Sequence, residues 1–176
     1  MTRQLQSVPK LVSFGVCLSL LSILFGFSMG GLFGLVDEQI ENYLDDSGTA
    51  VLESVYHGDV AKKDAVAKKA FTYLRRAHLH GGGIGAASLG SIVAMIVLCR
   101  LGRIAQISAV SFGAGALIYS FGWLCAGLLA PGLGSAGAAK EAVTLIAGSG
   151  AGLCLLGITG TLVSVGRDLF LHGPEA

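Results

Sequence analysis

The sequence predicts an all-α integral membrane protein, with four transmembrane helices arranged as a tandem-duplicated helical hairpin and a short helical extramembrane cap between helices 1 and 2. Three observations predict it. First, only 13% of the 176 residues are charged while 53% are hydrophobic, with a mean hydropathy of +0.72. A soluble domain carries about a quarter charged residues, so this chain has too little polar surface to cover a soluble globule. Second, most charges fall before residue 11 or between Asp37 and Arg76, leaving four runs free of Asp, Glu, Lys and Arg: Leu11–Val36, Leu79–Cys99, Ile104–Ala130 and Ala142–Val165. Each matches the roughly 20 apolar residues that a helix needs to cross the hydrocarbon core. Third, landmarks in the first half recur in the second.

The first element, 1–36, is the N-terminus and helix 1. Its basic start, with Arg3 and Lys10, resembles a secretion signal, but the apolar core of a signal is about 7–15 residues long. This run is longer and has no small-x-small site at its end, so a retained helix is expected. The second element, 37–77, is a helical outer loop. Val36, Ile40, Tyr43 and Leu44 recur at helical spacing, so helix 1 is expected to continue to Ser47-Gly48. A short amphipathic stretch from Val51 to Tyr56 ends at His57-Gly58, and Asp59 is placed to cap a third helix. In that helix Val66, Ala70, Phe71, Leu74 and Ala77 share an apolar face, opposite a solvated face with Lys62, Lys63, Lys68 and Lys69.

The remaining elements are helix 2 with its turn (78–103), helix 3 with a short outer loop (104–141), and helix 4 with the C-terminal tail (142–176). The duplication is read from Val12-Ser13-Phe14-Gly15 against Val110-Ser111-Phe112-Gly113, and from Phe25-Gly26-Phe27 against Phe121-Gly122-Trp123. On the second helix of each half, Gly83-x-Gly85-x-x-x-Leu89-Gly90 followed by Arg100 parallels Gly150-x-Gly152-x-x-x-Leu156-Gly157 followed by Arg167. Gly26 and Gly30, Gly81 and Gly85, and Gly148 and Gly152 each form a small-xxx-small pair, the pattern that lets helix backbones approach closely in lipid.

Orientation follows from the flanking charges. Arg3, Lys10, Arg100, Arg103 and Arg167 lie on one side, while Lys62, Lys63, Lys68, Lys69, Arg75, Arg76 and Lys140 lie on the other. The raw tally favours the second side. The first helix often dominates, however, and acidic residues from Asp37 to Asp46 follow it on its far side. The expectation is a bacterial inner or plasma membrane location with both termini cytoplasmic and the 37–77 loop outside.

Cys17, Cys99, Cys125 and Cys154 fall one in each run, with no CxxC pair, and read as small apolar packing residues. The segment that looks chemical is His78-Leu79-His80-Gly81-Gly82-Gly83, where the outer loop enters the membrane. Intramembrane ionisable residues tend to be functional, and imidazole is a common transition-metal ligand. Residues two apart on a helix point to nearly opposite sides, so His78 and His80 cannot chelate one ion on a regular helix. They read either as structural interfacial residues or as a haem b or copper site with His57 as an extra ligand. A further arrangement has two histidines on one helix facing different centres, as in haem–copper oxidase catalytic subunits; the other histidines of that family are missing here, and the chain is not assigned to it. His172, in the C-terminal tail, lies on the opposite side of the membrane from this pair and is expected to have no role.

The function expected is a small polytopic accessory or scaffold subunit of a larger membrane complex, with the outer cap as its interaction surface and no catalytic activity of its own. The partners expected are the lipid bilayer and other membrane subunits, or further copies of the chain. A net charge of +1 implies no nucleic acid. The alternatives are a metal- or haem-binding redox protein and, third, a small transporter. Transporters usually place polar or charged groups near the midplane, and these spans offer mainly Ser and Thr.

Overall fold

A computed structural model describes residues 8–171; Arg3, used for orientation, and His172 lie outside them. The described residues form seven helices and no strand: α1 (Lys10–Leu35), α2 (Asp37–Thr49), α3 (Leu52–Val55), α4 (Val60–Leu98), α5 (Arg103–Leu129), α6 (Ala136–Ala142) and α7 (Thr144–Phe170). Four of them, α1, α4, α5 and α7, are long and apolar enough to cross a membrane.

Close approaches fix how the long helices lie. Gly26 of α1 meets Gly81 and Gly82 of α4, and Gly85 of α4 meets Ser22 and Ile23 of α1, so these two run antiparallel. Gly15 of α1 meets Ala109 of α5, and Gly113 of α5 meets Gly15 and Leu18, so α1 and α5 run parallel. Gly150, Gly157 and Gly160 of α7 meet Tyr119, Phe112 and Ser108 of α5 in descending order, which makes that pair antiparallel too. The starts of α1 and α5 and the ends of α4 and α7 therefore share one end of the bundle, and α2, α3 and α6 share the other, here called distal. α5 is the most enclosed long helix, with 44% of its most apolar stretch buried, and α7 the least, with 17%.

One expected boundary differs. Helix 1 does not run on unbroken: Val36 adopts φ −139° and ψ 34°, and a new helix starts at Asp37. The bonds from the Val36 N–H to the Leu32 carbonyl and from the Ile40 N–H to the Val36 carbonyl survive, so the break is a kink. The third cap helix feeds directly into the second span, as the sequence leads one to expect. α4 is one 39-residue helix, about 58 Å long at 1.5 Å per residue, because nothing between Val60 and Leu98 breaks the pattern and no proline interrupts it. Its N-cap is Asp59, whose carboxylate accepts the Lys62 N–H at 2.9 Å. The chain reverses into it through His57 (φ 55°) and Gly58 (φ 79°), a left-handed pair that suits glycine and that histidine adopts more readily than most residues.

The distal end has a core of its own. Met29, Leu44, Tyr56, Val66, Ala70, Phe71, Leu74, Ala130 and Ala139 pack together. The Tyr56 hydroxyl donates to the Pro131 carbonyl at 2.7 Å, tying the α3–α4 turn to the α5–α6 turn. Lys63, expected on a solvated face, is instead buried: its ammonium donates to Asp45 at 2.6 Å and to Thr49 at 3.3 Å, and pairs with Asp64 at 3.2 Å. α6 occupies what the sequence presented as a short loop, with the Ser135 hydroxyl accepting the Gly137 and Ala138 N–H groups.

Candidate functional site

The His78-x-His80 segment lies in the middle of α4, where the backbone stays helical through Gly81, Gly82 and Gly83. Helical geometry sends the two rings to different neighbours. The His78 Nδ1–H donates to the Gly26 carbonyl of α1 at 2.7 Å, an acceptor that α1's own ladder leaves free to take a second bond. The ring sits edge-on to Phe33 at 6.0 Å and over Gly30, where an added Cβ would stand 2.7 Å from His78 Cε1.

His80 points to α5. Its ring lies 5.1 Å from that of Tyr119 and 6.2 Å from that of Trp123. Trp123 in turn packs on Tyr73 at 5.2 Å, and Arg76 lies over Trp123 at 4.9 Å and over Tyr73 at 5.6 Å. Lys140 of α6 reaches the same Tyr73 ring at 5.6 Å. The result is a cluster of four aromatic rings and two cations joining α4, α5 and α6.

The third candidate ligand is elsewhere. His57 is exposed in the turn before α4, and the run of helix from Val60 to His78 holds it about 27 Å from the pair. Among the described residues no group of three His, Cys, Asp or Glu stands close enough to hold one metal ion. The structure therefore does not bring His57, His78 and His80 together.

The packing glycines divide in the same way. Gly26 and Gly81 lie against each other's backbones, Gly85 against α1, and Gly30 against His78. Gly148 and Gly152 have open space around them. The α7 contact with α5 uses Gly150, Gly157 and Gly160 instead, on the opposite face because residues two apart on a helix diverge. The paired landmarks of the two halves consequently differ in surroundings: Gly85 is packed and its counterpart Gly152 open, Gly83 open and its counterpart Gly150 packed.

Two polar devices escaped the sequence reading. Ser19 and Ser88 share a buried hydrogen bond at 2.8 Å, and the Ser22 hydroxyl donates to the Gly81 carbonyl at 3.1 Å, crosslinking α1 and α4. At the end opposite the cap helices, Asp168 accepts the Arg100 N–H at 2.6 Å and the Arg167 Nε–H at 2.8 Å, fastening the α4–α5 turn to α7. Serines in an apolar run and an acid near a chain end carry no local signal of their partners. Comparison of the chain with protein-family models, curated proteins and solved structures gives no match.

Proposed function

We propose that this chain is a small non-catalytic membrane subunit that anchors a larger complex, with both termini cytoplasmic and the α2–α3–α6 unit as its outer interaction surface. The observation that carries the reading is the independent distal core, fastened by the Tyr56–Pro131 and Lys63–Asp45 bonds. A connecting loop needs no such core, whereas a surface that must keep one shape does. Between α2 and α4 this unit presents a groove of about 530 Å³, lined by Glu41, Asp64, Lys68 and Arg75 around Leu44 and Phe71. Both signs of charge around an apolar floor match the polar rim and apolar centre of a protein interface.

The reading also keeps the two halves as hairpins of common origin. Gly26 and Gly122 occupy matching places, the first against Gly82 of its own hairpin and the second against Ala147 of its own. A haem b or copper role for His78 and His80 draws no support from rings that face different helices, and transport draws none from Ser19, Ser22, Ser120 and Thr161, whose buried hydroxyls are bonded within the bundle.

The test is purification from native membranes in mild detergent after crosslinking, with an absorption spectrum and elemental analysis on the same sample. Stoichiometric partner subunits, lost on combining Glu41→Lys with Arg75→Glu, are expected. A chain that purifies alone and is indifferent to both changes sinks the proposal, and a Soret band or stoichiometric metal lost with His78→Ala and His80→Ala would replace it by the redox reading.

A further inference from the structure

The cation–aromatic cluster continues into a cavity that the accessory role does not use. About 280 Å³ in volume, it lies between α5 and the α6–α7 segment, lined by Tyr119, Trp123, Lys140, Val143, Ala147 and Gly148. Its lining is apolar except at one end. Lys140 stands at the distal mouth, and the residues from Val143, just before α7, to Ala151 continue the trough for about 12 Å. Nothing touches the open side of Gly148, so no side chain fills that wall.

Lys140 lines the mouth, and Arg76 lies over the Trp123 ring that lines the cavity. Arg76 and Lys140 both lie against the Tyr73 ring, and among the described residues neither has a carboxylate within ion-pair distance. Trp123 adds a buried indole N–H with no acceptor. Two like charges gathered at one ring repel each other, and an orphaned buried donor is costly; a phosphate would relieve both. A negative group at the mouth, a long apolar body along the trough and a lateral opening toward lipid describe one kind of molecule.

We propose that this site holds an anionic glycerophospholipid, its phosphate between Arg76 and Lys140 and one acyl chain in the trough over Gly148. The inference rests on the membrane placement of the four long helices and is independent of the accessory role.

Trp123 is the chain's only tryptophan and lines the site, so it reports occupancy directly. The experiment reconstitutes the full chain in vesicles of mixed phosphatidylcholine and phosphatidylglycerol, with bromine on the acyl chains of one or the other, and measures Trp123 quenching. Brominated phosphatidylglycerol is expected to quench more strongly at equal mole fraction. Lys140→Gln should lower that preference roughly fivefold, the contribution of one basic residue near an anionic lipid, and Arg76→Gln should act likewise. Gly148→Leu, which adds bulk in open space, should cut quenching by phosphatidylglycerol without touching a charge. Equal quenching by the two lipids overturns the proposal, as does a preference that survives all three variants. Displacement by millimolar glycerol 3-phosphate would show a soluble-anion site instead. If neither lipid quenches Trp123, it is the membrane placement that fails. Should Arg76→Gln misfold, Lys140→Gln and Gly148→Leu still decide the matter.

Discussion

The imidazole of His78 is spent on the backbone of a neighbouring helix: its Nδ1–H reaches the Gly26 carbonyl at 2.7 Å. The contact is possible only because Gly30 has no side chain to block the ring. A residue that reads as chemistry is thus, within this chain, a strut between α1 and α4.

His78→Ala should therefore destabilise the bundle by about 1–3 kcal/mol, the cost of losing a partly buried bond and leaving a cavity. Thermal unfolding in detergent, followed by circular dichroism, measures this. Gly30→Leu, which displaces the ring, should reproduce the loss. An unchanged midpoint for both variants would remove the strut.

Glycine substitutions should sort by face. Gly26→Ala puts a methyl into the backbone of Gly81 and Gly82 and should cost about 1–3 kcal/mol by overpacking. Gly148→Ala meets nothing within reach and should be neutral in the isolated chain. The same unfolding assay separates them; equal effects would contradict the packing described.

The distal unit should fail first in alkali. Burial raises the Tyr56 phenol above its ordinary value, opposed by the nearby Lys63 ammonium. Hydrogen bonding to Asp45 raises Lys63, which sits in the charged first half of α4 before the apolar stretch. In both cases the folded state holds its proton more tightly than the unfolded chain. Their contribution is complete below the unfolded values, about 10 for Tyr and 10.4 for Lys, and is lost as pH rises through the folded ones. Hydrogen–deuterium exchange should show α2 and α3 opening above pH about 10 while the long helices stay protected. Tyr56→Phe should lower the stability of this unit by about 1 kcal/mol at neutral pH and remove the Tyr56 share of the alkaline step.

Asp168→Ala should release the Arg100–Gly102 turn from α7. Hydrogen bonds to a charged group contribute about 1.5–3 kcal/mol, and the acid accepts from both Arg100 and Arg167. Limited proteolysis after Arg100 or Arg103 should become faster, and resistance equal to that of the parent protein would refute the clamp.

The sequence made the four long helices legible because lipid imposes a coarse rule: a run without charges about 20 residues long is visible in one dimension. It also made visible the apolar face of early α4, where Val66, Ala70, Phe71, Leu74 and Ala77 are all buried, and the opposed directions of His78 and His80, which helical geometry alone requires. What it could not give was the identity of the neighbours. Gly26 as acceptor, Tyr119 and Trp123 as the surroundings of His80, and Asp45 as the partner of Lys63 are all tertiary facts separated by long stretches of chain. That Gly148 and Gly152 meet no neighbour within the chain was hidden for a related reason. Small-xxx-small pairs occur on both faces of α7, and only the position of α5 decides which face is inside.

α4 passes without a break from the distal unit to the turn that Asp168 holds. This beam of about 58 Å is gripped at several heights, by Gly26 and His78 near its middle, by Ser19 on Ser88 farther along, and by Asp168 just past its end. Because one unbroken helix joins them, the α2–α3 side of the molecule and the Arg100 turn share a single axis, with no hinge between them to let one be rebuilt independently of the other.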